Sequence, residues 1–411
     1  MKINKESITK GLFAFLIFLI LIEPAACSQF VISARIYTYL QYIIFVVVCF
    51  VGFQGGFRNK IVSLLLCIYY LYLFLITLIN HGRVHAIFVQ AVHFIGLALF
   101  IDMVIKNNPE ELFRSALNIL TILVVANCII IFVYPEGLYE TVYYKNNYLL
   151  GYDNQNINFM LPAMVLVLLK HECYKRCYGH ILLIYLSSIM TAVKIWSGMT
   201  LVVTGVLSLF AIFYLIGLRR NGKPQILSDL VFNFRTLFVI DIGVNISLVL
   251  FRLQYLVRHL IEDLLHKDIS LTNRTMIWDK TLEFIKLNPV LGYGREDYAE
   301  RALKFGFKEN SPVGLHAHNR LLETFYSGGV ILFSLFVGII IYVASKLYRF
   351  KETAFAKILS FGLFVYLMGM TTEYYEYCIW LWGILVIAEN SEALYAMNQK
   401  MTGKNNQTDI E

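Results

Sequence analysis

Apolar runs that approach or reach the roughly 30 Å needed to cross the hydrocarbon of a bilayer return along almost the whole chain. They cover approximately 11–27, 36–54, 61–79, 86–105, 115–134, 157–170, 179–195, 198–217, 229–251, 326–345, 358–372 and 377–391. A chain of 411 residues that is 58% hydrophobic and 15% charged, with mean hydropathy +0.64, carries more apolar surface than a soluble core of that size can hide. Lipid has to solvate the remainder. The fold class expected is therefore an all-α integral membrane protein of about 12 transmembrane helices.

The basic residues give the orientation, because short cytoplasmic loops collect Lys and Arg. With the N-terminus inside, the inner segments hold Lys2, Lys5 and Lys10, then Arg58 and Lys60, Lys106 and Arg114, Lys170, Lys175 and Arg176, Arg219, Arg220 and Lys223, Lys346, Arg349, Lys351 and Lys357, and finally Lys400 and Lys404. The short outer loops hold Arg35, Arg83 and Lys145. The alternation keeps phase to the end, which predicts both termini in the cytoplasm. The net charge of +7 is thus a topological signal and does not point to nucleic acid. The first run resembles a secretory signal, with Lys2, Lys5 and Lys10 ahead of it, but Glu23 and Pro24 sit badly for cleavage and it reads as the first span. The seven cysteines form no CxxC and no disulfide framework, and read as apolar packing.

One stretch breaks the charge pattern. Residues 252–325 face outward by parity yet hold eleven basic residues; loops of this length translocate largely regardless of charge. The organisation expected is a bundle over 1–251, a large helical extracytoplasmic loop over 252–325 in which chemistry resides, three closing spans over 326–391, and a polar cytoplasmic tail over 392–411 that frays from Lys400 onward. Within the loop, Thr272 or Asn273 can cap a helix from 274 to 287, with Met276, Ile277, Phe284, Ile285 and Leu287 as its apolar stripe and Asn288-Pro289 as its stop. Such a helix is expected to lie on the membrane surface over the spans. Then come Gly292-Tyr293-Gly294, a turn rather than a dinucleotide fingerprint, and His316-Ala317-His318-Asn319-Arg320 ahead of Gly328-Gly329 and a new span. An imidazole that titrates near neutral pH beside fixed cations is enough to take a proton from a hydroxyl and to stabilise a departing phosphate. His316 and His318 lack a clear third ligand for a metal. Arg235 and Asp241, in or near the ninth span, read as structural partners for other spans.

Arg274, Trp278, Pro289, Gly292, Gly294, His318, Asn319, Leu322 and Glu323, in that order ahead of a glycine-started span, resemble the late signature of the O-antigen polymerase and O-antigen ligase superfamily. The resemblance is clear over 270–345 and weaker over 151–217, where Gly151-Tyr152-Asp153-Asn154-Gln155-Asn156 is similar to a family turn. It implies a glycosyltransferase of the bacterial cytoplasmic (inner) membrane acting on undecaprenyl-pyrophosphate-linked glycan at the outer face, with no cofactor, no metal and no nucleotide sugar. His318 is then the base on the acceptor hydroxyl and Arg274 the grip on the pyrophosphate. Lys194 stands where the family often carries a second arginine and lacks its bidentate fork. Arg295, Asn319, Arg320, Trp278 and Asn156 complete the substrate-binding candidates. The partners implied are membrane lipid and a chain-length regulator protein.

Polymerisation of repeat units into capsule, O-antigen or a related exopolysaccharide is the first reading. A ligase that moves finished polymer to another acceptor is the second. A lipid-glycan transporter or flippase is the third; against it stand the lack of an evident paired repeat and the clustered His and Arg of the late loop.

Overall fold

A computed structural model describes residues 5–141, 144–174, 177–218, 231–259, 262–263, 274–308, 316–373 and 378–402. Each expected span has a helix at its place: α1 Lys5–Leu21, α2 Val31–Val51, α3 Ile61–Ile79, α4 Val84–Asn107, α5 Leu117–Val133, α6 Ile157–Tyr174, α7 Tyr178–Ile195, α8 Gly198–Phe213 and α9 Phe234–Val249. Two further helices, α10 (Arg274–Leu287) and α11 (Tyr298–Lys304), belong to the late loop, and α12 (Arg320–Tyr348), α13 (Ala354–Gly369), α14 (Ile379–Glu389) and α15 (Ser391–Thr402) follow. Among the described residues, eight helices are long and apolar enough to cross a membrane, while Gly11–Leu21, Ala354–Gly369 and Ile379–Glu389 are apolar but shorter. Isolated bridges such as Tyr139 with Asn147 are the extended pairing among these residues.

The boundaries follow local chemistry. Pro24 ends the first helix before the expected residue 27. Asn233 caps α9 by accepting from Thr236 N at 3.1 Å, and Thr353 caps α13 by accepting from Ala356 N at 3.2 Å. The polar tail expected from 392 is instead helical through Thr402. Ala393, Leu394 and Met397 fall on one face of α15 and are buried against the bundle, where the helix packs on α4, α6 and α13. Residues 403–411 lie outside the described residues.

The late loop packs by part of the stripe its sequence suggested, since Ile277, Phe284 and Ile285 lie in or against its core. Ile277, Trp278, Thr281 and Ile285 of α10 are buried, whereas Met276 and Leu287 are exposed. The helix therefore rests on the start of α12, and Ile277, Ile285, Phe305 and Tyr326 form a small core of their own, separate from that of the bundle. The expected caps Thr272 and Asn273 lie outside the described residues.

The last long helix starts at Arg320, inside the expected loop, and is broken at Gly328 and Gly329. In an unbroken helix Val330 N–H would bond Tyr326 O, and the next amide Ser327 O. Here Val330 N donates to Pro289 O at 2.8 Å, Tyr293 N donates to Tyr326 O at 3.0 Å and Gly294 N to Ser327 O at 2.7 Å. The glycine turn and the glycine break satisfy each other's backbone groups, which a low-dielectric setting demands. The fit is tight: Gly329 has φ +59°, and a Cβ there would stand 2.1 Å from Val290 O.

Helix direction sorts the polar residues into two ends. Arg58, Lys60, Lys106, Arg114 and Lys170 fall at one end, where Asp102 accepts from Arg58 N at 2.7 Å, Asn59 N at 3.0 Å and Asn390 Nδ2 at 2.9 Å. The opposite end collects the ends of α3, α5, α7, α9 and α13, the starts of α4, α6, α8 and α12, and the late loop.

Gly329→Ala is expected to cost at least about 2 kcal/mol from backbone strain and collision. Gly338→Ala, where an added Cβ meets nothing within 4 Å, is the control. Thermal unfolding of the two detergent-purified variants checks this: equal midpoints would contradict the locked turn.

Candidate functional site

The site is built around the peptide of Ala317. Its carbonyl accepts from Trp278 Nε1 at 2.9 Å, and its N–H donates to Glu323 Oε2 at 2.7 Å. Glu323 is itself held by Arg301 through two parallel bonds of 2.6 and 2.8 Å, both side chains being almost fully buried. On the other flank, Asn319 accepts from Leu322 N at 3.0 Å and caps α12, while its amide donates to Asn245 Oδ1 and Thr371 O, each at 2.9 Å. Arg320 N adds a bond to Met370 O at 2.8 Å. Between these two fixed flanks His318 adopts φ +47°, a left-handed conformation that few side chains take up without support from their surroundings.

His318 points at Glu373, which follows α13. Its Nδ1 is buried, makes no hydrogen bond, and stands 3.6 Å from Glu373 Oε2. The other carboxylate oxygen, Oε1, is ion-paired with Arg274, the first residue of α10, and accepts from Asn154 Nδ2 at 2.7 Å. Ser197 Oγ donates in turn to Asn154 Oδ1, and Thr200 Oγ1 to Asp153 O at 3.2 Å. Glu373 is only 4% exposed, whereas Arg274 and His318 each keep 18%. The His316 ring lies 4.2 Å from that of His318. Burial first, and then the neighbouring His318 and the guanidinium groups of Arg301, Arg295 and Arg274, hold His316 well below the usual imidazole range.

Beside this cluster a cavity of about 420 Å³ is lined by Tyr144, Lys145, Tyr148, Tyr152, Asp153 and Lys194 among others. The rings of Tyr144 and Tyr152 stack at 3.8 Å and 4°. Lys194 Nζ lies 5.9 Å from the Phe132 ring centroid. Lys194 lies in the last turn of α7 and Ser197 at the cap of α8 three residues on, so the cavity wall is connected through Asn154 to Glu373. Tyr144 lies close enough to Glu373 and Arg274 to sense both charges.

Of the residues singled out in the sequence, the structure brings His318 and Arg274 to one carboxylate and sets Lys194 in the neighbouring cavity. Trp278, Asn156, Asn319 and Arg320 make contacts within the frame. Trp278 is fully buried, and its ring is closed off from any sugar. Asn156 is fully buried and accepts from Asn127 Nδ2 at 2.6 Å, holding the turn before α6. Asn319 is the helix cap just described. Arg320 is buried between Phe336 and Trp382, with Nη2 3.4 Å from Tyr69 OH. The backbone of Arg295 ties the glycine turn to α3 and α4, its N–H donating to Thr77 Oγ1 at 2.9 Å and its carbonyl accepting from Arg83 N at 2.7 Å, while its guanidinium donates to Tyr298 OH at 3.1 Å and lies close enough to His316 to act on it. Arg235 stacks over Tyr348 at 4.0 Å, a contact between helices. Among the described residues no group of three His, Cys, Asp or Glu gathers as metal ligands.

Glu373 and Asn154 escape a reading of the sequence. Glu373 is one of two acids, with Glu376, in the short segment between the last two apolar runs; it is 99 positions from Arg274, and nothing local to it signals a partner. The available signal was its position: it ends a span at the same end of the bundle as the His and Arg motifs.

Residues 180–337 match the family model described as O-Antigen ligase. The match supports the O-antigen polymerase and ligase superfamily, and with it a multi-pass membrane protein with a polysaccharide polymerase or ligase role. No curated protein matches the chain. The O-antigen ligase match includes Lys194, Arg274 and His318 and stops before Glu373.

Glu323→Gln removes the charge that compensates buried Arg301 and is expected to cost about 3–5 kcal/mol. Chemical unfolding in detergent checks this; a loss below about 1 kcal/mol, the range of exposed pairs, would contradict the buried geometry.

Proposed function

We propose that this protein is a glycosyltransferase of the bacterial cytoplasmic membrane that polymerises undecaprenyl-pyrophosphate-linked repeat units into a capsular, O-antigen or related surface polysaccharide. Twelve spans with both termini in the cytoplasm put the late loop on the outer face, where such repeat units are available. The observation that carries the reading is the convergence of His318, Arg274 and Glu373 at the end of the bundle opposite its basic loops. The family match over 180–337 supports it.

His318 takes the proton of the acceptor sugar hydroxyl while that oxygen bonds to the anomeric carbon of the donor. The bond from this carbon to the phosphate oxygen breaks, and undecaprenyl pyrophosphate departs with the electron pair. Direct attack inverts the anomeric configuration. Arg274 and Lys194 neutralise the charge that grows on the pyrophosphate. With Nδ1 turned toward Glu373, Nε2 is the nitrogen left for the hydroxyl. A chain-length regulator protein is the partner this activity calls for. Ligation of finished polymer to another acceptor is the second reading, favoured by the description of the matching family model.

His318→Ala is expected to lower chain elongation by about 10²–10⁴-fold, with single repeat units still formed. Analysis of surface glycan at equal expression checks this, and normal chain length removes the mechanism. Loss of the whole protein distinguishes the readings: one-unit products indicate a polymerase, polymer retained on its lipid carrier a ligase. For topology, a cysteine replacing exposed Leu303, with the native cysteines substituted, is expected to react with an impermeant thiol reagent from outside the cell. Reaction only from the cytosol would overturn the arrangement.

A further inference from the structure

The residue assigned to grip a phosphate is already occupied. Arg274 is ion-paired with Glu373, and the same oxygen of Glu373 is fastened by Asn154. The second oxygen faces His318 Nδ1 at 3.6 Å, too far for a hydrogen bond, and that nitrogen is buried without one. One carboxylate thus stands between the cation and the imidazole, engaged with the first and just short of the second.

We infer that Glu373 is an exchangeable counter-ion: phosphate arriving at Arg274 displaces it, and the released carboxylate closes on His318 Nδ1. This deepens the glycosyl-transfer reading and rests on it. Three observations support the exchange. The two phosphates of the donor's pyrophosphate together offer a guanidinium two negative charges and more acceptor oxygens than one carboxylate, so Arg274 favours them. Closing the gap from 3.6 Å to a charge-assisted bond of about 2.8 Å requires a shift of under about 1 Å, within reach of a side-chain rotation. And the carboxylate cannot be discarded to solvent, because it is 4% exposed; once it leaves Arg274, an imidazolium at His318 is the adjacent cation that satisfies it.

The consequence is ordering. A proton taken by His318 is stabilised only after the donor's phosphate has taken Arg274, so the base becomes competent when the leaving group is in place. Glu373 acts through two other side chains and is a positioning residue. Ser197 and Asn154 connect the carboxylate to the junction after α7, the helix whose last turn carries Lys194.

The test uses the full chain in detergent or nanodiscs, with inorganic pyrophosphate as the probe, measured by calorimetry. Glu373→Gln keeps the shape and removes the competing charge. Its Kd for pyrophosphate is expected to fall about tenfold, equivalent to about 1.4 kcal/mol, and Arg274→Ala should lose binding. With a lipid-linked repeat unit as substrate, Glu373→Gln should lower KM and lower kcat together, a split that a merely structural role does not produce. Should that variant not fold, Asn154→Ala loosens the same oxygen and should tighten pyrophosphate about threefold, roughly 0.65 kcal/mol. Unchanged or weaker binding in the folded variant, or no binding in any form, overturns the exchange. The two readings fail separately: tighter pyrophosphate in Glu373→Gln without elongation by the wild type removes glycosyl transfer, while elongation without tighter binding removes the exchange.

Discussion

The arrangement of the site depends on a carboxylate buried with its counter-ion. Glu323 receives both arms of Arg301 and the N–H of Ala317, and so fixes the backbone immediately ahead of His318. A buried pair of this kind contributes little net stability, because desolvation of two ions offsets most of their attraction. Its value here is geometric. Breaking it leaves a charge stranded in a low-dielectric interior, so the loop has few alternative packings, and His318 is held in a backbone conformation it would not take up in a flexible segment.

That fixed loop is mounted on a second constraint, the demand that buried backbone groups find partners. A helix broken by two glycines releases carbonyls and an amide, and the Pro289–Gly294 turn supplies their complements. The family-like glycines are therefore structural: their lack of a Cβ lets two backbones approach, and the approach docks the small aromatic core of the late loop on the bundle. The result is a rigid platform in which Arg274 enters from the start of one helix, His318 from the start of another and Glu373 from the end of a third.

Several features were legible without coordinates. Hydropathy located the helices to within a few residues, since an apolar run in lipid has few options besides a helix. The spacing of Arg274, Trp278, the glycines and His318 identified the segment where the chemistry gathers. What remained hidden was which of its polar residues face a ligand. Trp278, Asn156, Asn319 and Arg320 carry chemically capable groups, yet each spends them on the frame, at Ala317 O, Asn127, Thr371 and Tyr69 respectively. Their types alone do not distinguish a cap from a binding group.

The sequence by itself determined that this chain is a bundle of apolar helices whose basic loops alternate and whose late polar segment is set apart, because hydrophobic length and charge placement are properties of each segment taken alone. Only the tertiary structure decided that Glu373 lies between Arg274 and His318 and that Asn154 holds it there. Contacts between residues far apart in the chain depend on how helices pack, and a glutamate just past a helix end carries no mark of the arginine it meets.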